Sequence, residues 1–78
     1  MEWKKQMGND KQDGRQRKNI RIGSRVDIVQ KQDQHTGQLT SGVVQRILTK
    51  SASHPHGIKV QLASGEVGRV KTVLIEPN

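Results

Sequence analysis

The chain has 78 residues, no cysteine, and 14 Lys and Arg against 7 Asp and Glu, a formal charge of +7. That length admits one small domain in which surface outweighs interior, and the lack of Cys excludes disulfide staples and Cys-ligated zinc, which suits a reducing compartment. No apolar run approaches the roughly 20 residues that span a bilayer, and the first residues are too polar for a secretory leader, so the expected location is cytoplasmic, away from membranes.

Residues 1–19, MEWKKQMGNDKQDGRQRKN, hold six Lys and Arg against three acids but only Met1, Trp3 and Met7 to bury. Such a stretch cannot offset the entropy lost on ordering, and it is expected to be a disordered basic arm. Arg15, Arg17 and Lys18 sit where the arm meets the domain and are placed to follow a phosphate backbone, with Trp3 available to stack on a base.

All 18 Val, Ile and Leu residues fall between Ile20 and Ile75, so the domain is expected over 20–78. Ile20-Arg21-Ile22 leads through a turn at Gly23-Ser24 into Val26-Asp27-Ile28-Val29, where Val26 and Ile28 share one face at period two. Lys31 to Thr40 is polar, with Gly37 at a turn that needs positive φ. Ser41 to Thr49 is β-branched and apolar, too short for a typical helix, and reads as the central strand. Thr49 to Gly57, TKSASHPHG, is a polar loop. Ile58-Lys59-Val60-Gln61-Leu62 alternates cleanly, with Ile58, Val60 and Leu62 facing inward. Gly65 marks the next turn. Val67-Gly68-Arg69-Val70 begins a fourth strand in which Gly68 suggests a bulge or a close backbone contact. Val73-Leu74-Ile75 forms a fifth, ended by Pro77.

Five short strands in under 60 residues, without a helical period, indicate an all-β fold: a small five-stranded SH3-like antiparallel barrel, closed or partly closed, since an open sheet would expose its edges. An OB-like barrel is disfavoured by length and by the missing helix. A monomer is expected.

The order Gly23-x-x-Val26-x-Ile28-Val29, Thr36-Gly37-x-Leu39-Thr40-x-Gly42-x-Val44, Ile47-Leu48-Thr49-Lys50-Ser51, His54-Pro55-His56-Gly57-Ile58-Lys59-Val60 and Gly65-x-Val67-Gly68-Arg69-Val70 resembles the YwbE-like family of small prokaryotic proteins of unknown function. The resemblance covers about residues 19 to 72 and implies no activity. Gly42-x-Val44-x-x-Ile47 with the later Ile58-Lys59-Val60 is also similar to KOW-type SH3-like barrels of ribosomal and transcription-associated proteins, which implies contact with RNA or the ribosome. The chain departs from many such barrels in having neither Phe nor Tyr.

Three kinds of site are weighed. The loop offers an anion cradle: Lys50 and Lys59 supply charge, Thr49, Ser51 and Ser53 supply hydroxyls, and Arg46, Arg69 and Lys71 extend the patch. His54 and His56 join it, although hydroxyls and Pro55 also serve simply to shape a turn. A metal centre of His54, His56 and His35 lacks a fourth ligand. Catalysis by the two histidines beside Lys50 lacks a cysteine nucleophile, a carboxylate pair or a nucleotide loop. No metal, cofactor or enzymatic role is therefore assigned. The expected function is nucleic-acid binding, RNA ahead of DNA, through a basic face around the loop and arm. The alternative is a protein-interaction module in the translation or transcription machinery, where charge only steers encounter.

Overall fold

The structure, a computed structural model, describes residues 11–74. Trp3 and the expected end of the last strand at Ile75 and Pro77 lie outside the described residues. The extended segments are β1 (Lys11–Asp13), β2 (Arg25–Gln30), β3 (Thr40–Ile47), β4 (Lys59–Leu62) and β5 (Val67–Leu74). Single 3-10 turns follow β1 at Arg17–Asn19 and β2 at Lys31–Asp33.

Strands β5, β2, β3 and β4 pair antiparallel in that order, and β4 returns to β5, so the fold is an all-β closed barrel of four strands. Period-two patterning turns Val26 and Ile28 of β2 and Val60 and Leu62 of β4 inward, and Val70 and Val73 of β5 join them. Val44, Ile58 and Ile20 complete the buried core. Ile58, Val60 and Leu62 face inward as their alternation implies, and Gly37 and Gly65 adopt positive φ, 77° and 108°, at their turns.

Two outcomes differ from expectation. The segments at Val67 and Val73 are one continuous strand, and the wall has four strands rather than five. The reason is a bulge: Asp27 pairs with Thr72 and Ile28 with Val70, leaving Lys71 as an extra residue on β5. Lys71 shifts the alternation by one, so Val70 and Val73 face inward although three positions apart. A matching bulge at Gln45 brings Val44 and Ile47 to the same side. Gly68 stays in register opposite Gln30 and Val60; its need for glycine is a close approach to the Val29 carbonyl.

The second difference concerns the arm, expected to be disordered through residue 19. Residues 11–19 instead carry β1, an isolated bridge and a 3-10 turn. One edge of β5 is covered by β2 along its length. The other is covered by β4 over Val67–Arg69 and by β1 over Thr72–Leu74. Between them, the Val70 amide donates to the Ile58 carbonyl and the Ile58 amide donates to the Gly14 carbonyl. The attachment runs through backbone groups, which need partners whatever their side chains. This explains why a stretch so poor in apolar residues joins the fold. The most connected strand is therefore β5, with three partners, and not β3.

Candidate functional site

The loop between β3 and β4 and the segment after β1 run side by side. Gln16 bridges to Ser53, the Arg17 amide donates to the Ala52 carbonyl at 2.8 Å, and the His54 amide donates to the Arg15 carbonyl at 3.0 Å. Arg17 Nε reaches the Thr49 carbonyl at 3.2 Å. The arm cations and the loop, some 40 positions apart in sequence, thus occupy one surface. The loop is tied to β4 at its start: the Lys59 amide donates to Thr49 Oγ1 at 2.8 Å, and the Lys59 carbonyl accepts from the Leu48 amide.

Its end is fixed by glycine. Gly57 has φ of 106°, and a Cβ there would collide with the Val70 carbonyl oxygen. Arg69 Nη1 donates to the Gly57 carbonyl at 3.1 Å, clamping the loop to the outer side of β5. His54 Nδ1 accepts from the His56 amide at 3.1 Å, and the two rings lie 5.8 Å apart, tilted by 48°. A ring nitrogen that accepts carries no proton, so neutral His54 bears its hydrogen on Nε2. Partial burial first, then the positive charge of Arg69 and the neighbouring His56, hold His54 below the ordinary histidine value of 6.5.

Three grooves of 370, 340 and 440 Å³ follow one another across the outer side of β5. The first and second share Gln34 and Arg69, and the second and third share His56 and Lys71, so they form one channel. Its walls are the turn after β2 and the His54–Gly57 loop. Its cations are Lys31 and Lys59 at one end, Arg69 and Lys71 in the middle, and Arg15 at the other end. Lys59 and Arg69 are direct cross-strand partners. Like charges so placed repel, and an anion laid across them relieves the repulsion. The one carboxylate lining these three grooves is Asp13. It is engaged by Arg15, whose Nε lies 3.1 and 3.2 Å from its two oxygens, and these bonds lower its pKa.

Of the expected site residues, Arg15, His56, Lys59, Arg69 and Lys71 line the channel, and Ser53 and His54 hold its loop wall. Arg46 faces Gln61 across β3–β4, and Arg46, Lys50, Ser51, Arg17 and Lys18 line none of the three grooves. Lys31 and Gln34 were not among the expected residues. Their only sequence signal is a polar turn after β2, and it is the curl of the barrel that carries this turn over β5. Among the described residues no group of three or more His, Cys, Asp or Glu is arranged to hold a metal ion, and no helix is long and apolar enough to cross a membrane.

The family described as "Uncharacterized conserved protein (DUF2196)" matches residues 13–73. A relative in Bacillus subtilis (strain 168), "Uncharacterized protein YwbE", is 54% identical over 61 residues, covering 78% of this chain and 94% of the relative. The matched span takes in every residue of the channel. No solved structure gives a significant match.

Proposed function

We propose that this chain, which belongs to the YwbE-like family of uncharacterized conserved proteins, is a non-catalytic RNA-binding barrel that holds phosphates in the channel across β5. The observation that carries the reading is the lining: five cations converge from the segment after β1, the turn after β2, β4 and β5, and the one carboxylate beside them is already engaged. Such convergence favours polyanions and makes binding sensitive to salt. Lys59, Arg69 and Lys71 supply the central charge, Lys31 and Arg15 the ends, and Gln34 and His56 offer further hydrogen-bonding side chains. Arg46, Lys50, Arg17 and Lys18 act at longer range by steering.

The barrel is read as SH3-like, with the KOW-type likeness of Gly42-x-Val44-x-x-Ile47 favouring RNA over DNA by analogy. A cytoplasmic setting suits a chain without cysteine. In a filter-binding titration at low salt, micromolar protein is expected to retain RNA. Lys59→Ala, Arg69→Ala and Lys71→Ala are each expected to weaken that retention. No retention of RNA or DNA contradicts the reading.

A second reading, a protein-interaction module of the translation or transcription machinery, is favoured by exposed apolar side chains. Ile22 is 65% exposed and Leu39 46%. Capture of partners from lysate with and without nuclease separates the two: partners that survive nuclease favour the protein module.

A further inference from the structure

We infer that the ligand of the channel is the sugar–phosphate backbone of a double helix, one strand lying over the outer side of β5, and that unpaired nucleotides are poor ligands. The inference rests on the nucleic-acid reading above and narrows it. Single-strand binders gain affinity by stacking bases on aromatic rings, each stack worth roughly tenfold or more. No Phe or Tyr exists in this chain, and its one Trp lies outside the described residues. The one aromatic ring lining the channel is the His56 imidazole.

Two of the cations, in contrast, are tethered by their side chains, and the backbone sets where two more begin. Arg69 is tethered to the Gly57 carbonyl, Arg15 to Asp13, Lys71 stands at the bulge, and Lys59 is registered opposite Arg69. A partly fixed array suits a ligand whose phosphates are also fixed, because a flexible strand must lose its own conformational freedom to match it. From Gly68 to Thr72 the channel follows β5 for roughly 13 Å at about 3.3 Å per residue. Over that length a duplex presents one charge per about 1.7 Å of axis, against about 3.4 Å for one strand. Among the described residues no Phe, Tyr or Trp lines the channel to stack bases, so the higher charge density of the duplex, which releases more counterions per phosphate neutralised, decides for it.

The test compares a labelled RNA duplex of about 16 base pairs, a length that a shape-reading double-strand binder covers, with an oligouridine of equal length. Both are titrated by fluorescence anisotropy in the same low-salt buffer. The duplex is expected to bind at least about tenfold more tightly, with little dependence on its sequence. Lys71→Glu, at an exposed position, is expected to abolish that binding while far-ultraviolet circular dichroism stays unchanged. Oligouridine binding as tightly as the duplex overturns the inference and leaves the nucleic-acid reading standing. Binding of neither overturns both. His56→Ala is expected to leave the preference intact; a loss confined to oligouridine would identify the imidazole as a stacking platform and contradict the inference.

Discussion

At Gly57, two requirements coincide that only glycine meets: φ of 106° and contact with the Val70 carbonyl. Left-handed backbone costs an ordinary residue about 1–2 kcal/mol, and here the collision adds to it. Gly57→Ala is therefore expected to lower stability by about 2–3 kcal/mol, seen as a lower urea midpoint at unchanged slope. An unchanged midpoint would show that the loop does not rest on Val70 as described. His54 gives a signed pH effect. Its folded pKa lies below 6.5, so the unfolded chain binds the extra proton first as pH falls. Its contribution to stability is complete above the ordinary value and is lost on acidification through the window between 6.5 and the lower folded value. Protonation of Nδ1 also removes the acceptor for the His56 amide. Comparison of wild type with His54→Asn across this window is expected to show the wild type losing relative stability as pH falls; parallel curves would contradict it.

Among the elements, β4 was the most legible in the sequence, because Val60 and Leu62 alternate with polar residues and both are fully buried. Leu62→Ala is expected to cost about 2–5 kcal/mol, whereas Leu39→Ala, at a position 46% exposed, is expected to change the denaturation midpoint little. Strand β5 was less legible, since the bulge at Lys71 breaks period two and makes one strand look like two. Least legible was the segment after β1. It contributes backbone hydrogen bonds and a buried Gly14 rather than apolar side chains, so hydropathy carries no trace of it. Amide exchange is expected to reveal it: the amides of Arg17, His54 and Ile58, all donors within this junction, should be protected together. Exchange at the rate of the exposed turn around His35 would show that the segment is not docked.

At the scale of the whole molecule, basic residues of the arm, loop and strands were legible as a class from composition, but their grouping was not. Lys31 and Arg15 reach the same channel only because the barrel closes and β1 extends the free edge of β5. Five cations bound to five phosphates predict that log affinity for a duplex falls against log salt with a slope of about −4.5. A slope near zero would mean that the charge plays no part in binding. The most direct measurement is duplex RNA affinity for two charge reversals that alter net charge equally, Lys71→Glu inside the channel and Lys50→Glu outside it. Severe loss is expected for Lys71→Glu and only a small, steering-type loss for Lys50→Glu. Equal losses would show that net charge alone attracts RNA and that the channel across β5 is not the site.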